Sequence, residues 1–508
     1  MDKRKSVLNV SVSIFFRIIL LIGAIVVRRF VIKYIGNEVN GLDSLYTSLI
    51  GVLSIAELGV GSAITFCMYK PIVEKDDAKV AALYQLFTKA YRIVGILMLA
   101  AGIGTIPLLP WLAKDYALLD VNLGFTFFLM LVSVVLSYVF SAKTSLINAY
   151  KNNYVTTFIS SLGMIVQFVL QIVIIIITRS FVAYLLCRTI AMLLQWILTE
   201  LYSYKHHNDI LKHGKEIVDS NTKREVVNKV KALFMHRIGG VLVESADSLI
   251  ISSFIGVVVL GKYSNYSTIA VAVSTLISLF FSPLTSIIGH AFVCEKDKTE
   301  KYFEKFYFFN FLLGMVFFLG YYAIIDNLVA IFFGNNLELS RSISFVVTLN
   351  YFVRFMRQAT LLFRDATGTF YNDRWKPVFE GLLNIVLSIV LVKLFASVGG
   401  DEFGVVGVIA ATVITNLTIC HIVEPYVLYR HAFQKPVKKH LIKNYCYVAV
   451  FIAVLFVMTF VMQTNDNQWI ELLTNGAISV GISIATTFVV FLFNKNIRNS
   501  LKIKSNRR

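Results

Sequence analysis

Fourteen long apolar stretches fill this chain almost from end to end, near residues 9–33, 42–68, 82–110, 121–142, 154–178, 181–203, 232–255, 263–292, 306–333, 343–363, 377–397, 404–428, 444–463 and 470–493. A helix rising 1.5 Å per residue needs about 20 apolar residues to cross a hydrocarbon core, and these stretches have that length with only short polar breaks between them. They are apolar on all sides, without the segments of about ten alternating residues that mark an outer-membrane barrel. In lipid, only a helix or a closed barrel satisfies its own backbone hydrogen bonds. The expected fold is therefore an all-α polytopic membrane protein of about fourteen transmembrane helices. Composition agrees, with 57% hydrophobic and only 15% charged residues, where soluble domains carry about 25% charged.

The formal net charge of +18 is distributed as a membrane topology distributes it. With the N-terminus in the cytoplasm, the segments on that side hold 33 Lys and Arg, and the opposite loops hold five, Lys33, Lys114, Arg179, Lys262 and Arg341. The positive-inside rule then predicts both termini in the cytoplasm, with the segments near 75, 215, 298 and 437, and the loops near 118, 400 and 467 outside. The basic excess serves topology and attraction to anionic lipid heads rather than nucleic acid. The five cysteines are scattered in or beside apolar runs, which suggests neither a disulfide framework nor a zinc site. The basic N-terminus leads into a long apolar run interrupted by Arg17 and reads as a retained first span. No phosphate-binding GxxxxGK[ST] motif and no catalytic spacing is present, so neither an enzyme nor an ATP-driven pump is expected.

The stretch YIGNEVNGLDSLYTS at 34–48 returns as FIGVVVLGKYSNYST at 254–268. Six of the twelve columns from 35 to 46 are identical at this offset, pairing Ile35 with Ile255, Gly36 with Gly256, Val39 with Val259, Gly41 with Gly261, Ser44 with Ser264 and Tyr46 with Tyr266. Six spans lie between the copies, so both enter the membrane in the same direction, as in transporters built from parallel repeats. The expected organisation is a six-helix bundle over 1–204, a cytoplasmic linker over 205–231, a second six-helix bundle over 232–430, and two additional helices with a basic tail over 431–508. The four paired glycines are expected at tight turns between spans, and the paired tyrosines in an interfacial aromatic belt.

Charges inside spans carry the functional signal, because an ionisable group at mid-membrane costs at least about 2.5–3.5 kcal/mol. Arg17 sits some eight residues into the first span, Arg28 three turns further on the same face, and Arg237 occupies the position equivalent to Arg17 in the second half. Arg188 lies within span 6, and Arg354 and Arg357 are one turn apart in span 10. Two readings stand: interhelical ion pairs, or a cavity lined to receive an anion. Arg92 and Lys393 lie nearer span ends and are expected to snorkel. The deep acids Glu57, Glu244 and Asp247 are expected either to pair with these arginines or to take a coupling Na⁺ or proton, whereas Glu380 and Glu424 are expected at the cytoplasmic interface.

The runs YIGNEVNGLDSLYTSLIGVLSIAELGVGSAITFCMYKPI and ADSLIISSFIGVVVLGKYSNYSTI resemble the polysaccharide transporter family, the Wzx-type flippases of the multidrug/oligosaccharidyl-lipid/polysaccharide exporter superfamily. The resemblance implies two six-helix bundles around a central cavity and movement of undecaprenyl-diphosphate-linked oligosaccharides across the cell membrane by alternating access. It implies that Arg17, Arg237, Arg354 and Arg357, with Arg28 and Arg188, cradle a diphosphate. Membrane lipids, a polysaccharide polymerase and assembly proteins are the implied partners, and no cofactor is expected beyond a coupling Na⁺ or proton. Rival expectations are a flippase for the lipid-linked peptidoglycan precursor, a multidrug cation antiporter of the same superfamily, and a non-transporting scaffold for glycan assembly. The antiporter would favour an acid-lined cavity, and a scaffold leaves the deep charge unexplained.

Overall fold

The computed structural model describes residues 3–57, 60–212, 245–281 and 284–493, with isolated residues between 218 and 243. Nine of its described helices are long and apolar enough to cross a membrane. The other apolar runs also lie on helices and differ from those nine in being broken, charged or only partly described. The first is α1 (Lys3–Tyr34), which carries Arg17, Arg28 and Arg29. The second is split into α2 (Asn37–Leu53) and α3 (Val60–Glu74) by a 3₁₀ turn at Ser54–Glu57. The protein is thus an all-helical, multi-pass membrane protein.

The chain divides into two compact units, Met1–Gly261 and Lys262–Arg508, so the division falls beyond the polar 205–231 segment. In the first unit, α4 (Asp77–Thr105), α5 (Leu123–Ala149), α6 (Asn153–Thr178) and α7 (Phe181–Lys212) follow α3. Here α1 packs on α6, α6 on α7, α7 on α5 and α5 on α4. The described end of the seventh run is α8 (Ser245–Ile255), which closes in a π turn. It leads into α9 (Val257–Phe281), whose first residues belong to this unit.

The second unit continues with α10 (Leu284–Cys294), α11 (Lys296–Phe333), α12 (Arg341–Ala366), α13 (Lys376–Gly399), α14 (Asp401–Phe433), α15 (Lys438–Val461) and α16 (Gln468–Phe493). Helix α13 lies along α14, and α11 lies along both α12 and α16. Two π turns, Asn416–Cys420 and Tyr429–Phe433, interrupt α14. Such one-residue insertions re-aim the side chains that follow them.

The repeated stretch packs against itself. Gly36 (φ +130°) and Gly256 (φ +140°) turn the chain sharply before α2 and α9, as expected of residues free to adopt positive φ. Gly41 and Gly261 instead lie inside those helices and bring two backbones together. A Cβ on Gly41 would fall 1.9 Å from the Val257 carbonyl oxygen, and one on Gly261 would fall 2.4 Å from that of Asn37. Asn37 and Asn40 fasten the crossing, donating to the carbonyls of Val258 and Gly261 at 2.9 and 3.2 Å. This is the small-residue approach that stabilises helix pairs in membranes, where apolar burial offers no drive toward association. The expectation that all four glycines form turns therefore holds for two of them.

Tyr46 and Tyr266 are fully buried rather than placed in an interfacial belt. The Tyr46 hydroxyl donates to the Leu123 carbonyl at 2.9 Å and shares a hydrogen bond with Thr126. That of Tyr266 donates to Asp326 at 2.9 Å and accepts from the Leu339 amide. A phenol can occupy the interior once its hydroxyl is satisfied, and each copy of the repeat supplies such an anchor.

Candidate functional site

In the first unit, Asp43, the seventh residue of α2, accepts a hydrogen bond of 2.7 Å from Arg188 Nη2 on α7. Arg188 also donates to the Tyr184 hydroxyl at 3.1 Å, and its guanidinium stacks 5.3 Å from the centre of that ring. Helix periodicity accounts for this pair, since Tyr184 and Arg188 are one turn apart. Half-buried Arg28 on α1 has Asp43 and Tyr184 as its principal electrostatic neighbours. Both guanidiniums thus have the Asp43 carboxylate as a neighbour. The second Asp43 oxygen and Arg188 Nε are buried and lack a hydrogen-bond partner among the described residues. Asp43 escapes a reading of deep charges because it occupies the second residue of its apolar run.

The second unit holds a different arrangement. Arg357 on α12 donates through Nε and Nη2 to the two oxygens of Glu424 at 3.1 and 2.6 Å, and through Nη1 to Asn416 at 2.6 Å and Glu380 at 3.3 Å. Lys376 reaches Glu424 at 2.6 Å and Glu380 at 2.8 Å. Two cations and two carboxylates cancel. Glu380 and Glu424 are 5% and 1% exposed, so both lie in the protein interior. The π turn at Asn416–Cys420 lies between Asn416 and Glu424, both of which point to the same guanidinium. Arg354, one turn before Arg357, is half-buried with its guanidinium 6.0 Å from the Tyr351 ring.

The remaining candidates are dispersed. Arg17 is exposed on α1. Arg237 and Glu244 lie outside the described residues. Asp247 is buried on α8. Glu57 ends the 3₁₀ turn between α2 and α3, where its Oε1 accepts from the Tyr91 hydroxyl at 3.1 Å, with the Tyr138 ring 5.8 Å from that of Tyr91. Irregular backbone at membrane depth is tolerated only where protein or a cavity covers it. A further acid, Asp326 on α11, accepts from Tyr266 and from Ser344 at 2.7 Å and faces Arg341 at 3.7 Å. It was legible as a carboxylate within a span but not as the partner of the repeat tyrosine. Among the described residues no three His, Cys, Asp or Glu side chains are grouped to hold a metal ion.

No family model matches the chain, and no curated protein matches it in sequence. Solved structures do match in fold. The structure of lipid II flippase MurJ in an inward closed conformation superimposes with a TM-score of 0.65 at 13% identity, covering 99% of this chain and 100% of that one. An inward-facing multidrug resistance MATE family transporter of the MOP superfamily gives 0.59 at 11% identity over 88% and 98%. A Vibrio cholerae MATE transporter gives 0.50 at 11% identity over 85% and 100%. These likenesses establish the fold.

Proposed function

We propose that this chain is a transporter that moves a polyprenyl-diphosphate-linked oligosaccharide repeat unit across the cell membrane by alternating access, for synthesis of a cell-surface polysaccharide. The observation that carries the reading is the meeting of Arg28 and Arg188, from α1 and α7, at Asp43 on α2. A diphosphate carries about two negative charges, which cannot enter hydrocarbon uncompensated. Guanidiniums answer it with paired donors and remain charged when partly desolvated. Arg17, Arg237 and Arg354 complete the proposed diphosphate set, while Arg357 is already neutralised by Glu424 and Glu380 and serves the fold. No chemical step is assigned to the chain. Energy enters through a Na⁺ or proton gradient, with Glu57, Glu244 and Asp247 as the candidate coupling acids. Both termini are placed in the cytoplasm by the distribution of Lys and Arg.

A second reading, a flippase for the lipid-linked peptidoglycan precursor, is favoured by the whole-length fold likeness to MurJ. One assay separates the two. Purified protein in vesicles is given a fluorescent polyprenyl-diphosphate oligosaccharide or, separately, a polyprenyl-diphosphate disaccharide-peptide, and appearance of the head group at the opposite face is read with an impermeant reagent. The proposal expects movement of the oligosaccharide and a loss of about tenfold or more in folded Arg188→Ala, from the size of a charged hydrogen bond, about 1.5–3 kcal/mol. Movement of the disaccharide-peptide alone would favour the second reading. Efflux of organic cations without movement of either lipid would reject both.

A further inference from the structure

A cavity of about 330 Å³ opens between α4 and α5 of the first unit, with neither Arg28 nor Arg188 in its lining. Its size is at the lower end of the range typical of ligand sites, about 300–1,000 Å³. The two helices run antiparallel, since Gly95 lies beside Val135 and Tyr138 while Gly102 lies beside Leu131. Thr88, Arg92 and Ala142 therefore mark one end of the groove, and Leu99 with Val135 marks the other. The missing side chain of Gly95 leaves space there, because a Cβ would meet only ordinary contacts at 3.7–3.8 Å. Ile96 and Val139, on opposite lips, are 68% and 55% exposed, so the groove opens onto the apolar outer surface.

The level of this groove in the membrane follows from the sequence. Residues 93–112 and 123–142 are two runs of twenty residues without a charge, each about 30 Å of helix and hence one hydrocarbon thickness. Both are bounded at the same end by a cation, Arg92 on α4 and Lys143 on α5. Lys143 is paired with Glu200. Arg92 is exposed at the mouth of the groove and has no ion pair among the described residues. A cation at headgroup depth thus stands over an apolar channel that leads into the hydrocarbon layer.

We propose that the groove between α4 and α5 holds one anionic phospholipid, its phosphate on the Arg92 guanidinium and an acyl chain along Gly95, Ile96 and Tyr138. The lining includes Tyr91, whose hydroxyl donates to Glu57, and the proposal does not depend on the cargo's identity. An arginine near the membrane surface contributes about 1 kcal/mol toward an anionic lipid, a ratio of about fivefold.

The full chain in phosphatidylcholine nanodiscs doped with photoactivatable phosphatidylglycerol tests this. Crosslinks mapping to α4 and α5 are expected, with labelling reduced about fivefold in Arg92→Ala and at least as much in Gly95→Leu, whose side chain would fill the groove. Lys89→Ala, an exposed cation one turn away outside the lining, is expected to label like the wild type. Should Gly95→Leu fail to fold, Ile96→Trp on the outer lip blocks the same channel. Unchanged labelling in Arg92→Ala, an equal loss in Lys89→Ala, or equal capture of photoactivatable phosphatidylcholine would overturn the proposal. So would competition by glycerol phosphate alone, which has no chain to enter the groove.

Discussion

Two arginine clusters, one in each compact unit, differ in how completely their polar atoms are bonded. Around Arg357, two carboxylates and two cations are matched with six short polar contacts, and every charged partner is nearly inaccessible. Around Arg188, Asp43 pairs with one guanidinium and neighbours that of Arg28, and the side chains of Arg188 and Asp43 are 18% and 17% exposed. A closed, neutral set is what a buried structural network requires, because any unpaired member would cost several kcal/mol. A cluster in which a carboxylate oxygen and a guanidinium Nε are left without hydrogen-bond partners among the described residues keeps capacity for a further ligand. The completeness of hydrogen bonding distinguishes the two clusters.

The comparison is broken most forcefully at Glu424. Glu424→Gln leaves Arg357 and Lys376 with one carboxylate between them, and the expected loss is about 3–5 kcal/mol. Thermal unfolding in detergent should show a large fall in the transition temperature or no folded protein. The double variant Arg357→Met with Glu424→Leu, which leaves Lys376 paired with Glu380, is expected to be more stable than Glu424→Gln, since apolar replacement of a buried pair is often neutral. Equal instability of the two would mean that Arg357 has a role beyond its pairing.

Much of the fold was legible because it rests on composition over twenty-residue windows. All fourteen apolar runs fall on helices, with the seventh described only from Ser245 onward. What could not be read was the third dimension of the polar residues. Position along their spans set Glu380 and Glu424 toward the cytoplasmic edge but could not show that each faces a cation on another helix. Asp43, at the edge of a run, gave no sign of meeting Arg188, 145 residues away. The repeat glycines showed that a special backbone was needed at both places, but not that Gly41 and Gly261 would meet each other. Arg28 and Arg188 stood in the sequence as two of six arginines within spans, and their common neighbour Asp43 emerged only from packing.

The first unit's cluster gives the intermediate effect. Asp43→Asn removes the carboxylate that Arg188 pairs with and that Arg28 neighbours, at a cost of about 1–3 kcal/mol in stability for the stranded charge and its hydrogen bond. If the cluster receives a diphosphate, the same change should tighten binding of inorganic pyrophosphate to the purified protein while slowing lipid transport, because release becomes harder. Weaker pyrophosphate binding in folded Asp43→Asn would assign the cluster to structure, on the same footing as Arg357.

The smallest effect is expected at Glu57, which belongs to neither cluster. Its carboxylate sits in the break between α2 and α3 and accepts one phenolic hydrogen bond from Tyr91. A neutral hydrogen bond contributes about 0.5–1.5 kcal/mol, and one to a charged group somewhat more. Tyr91→Phe should therefore lower stability by about 1–2 kcal/mol and leave gradient dependence in place if Glu57 itself carries the coupling ion. Glu57→Gln keeps a hydrogen-bond acceptor of the same size, so stability should change little while transport loses its dependence on a Na⁺ or pH gradient. Measuring lipid transport with and without each gradient in both variants separates the roles. Retention of full gradient dependence in Glu57→Gln would remove this residue from coupling and leave Glu244 and Asp247 to be examined in the same way.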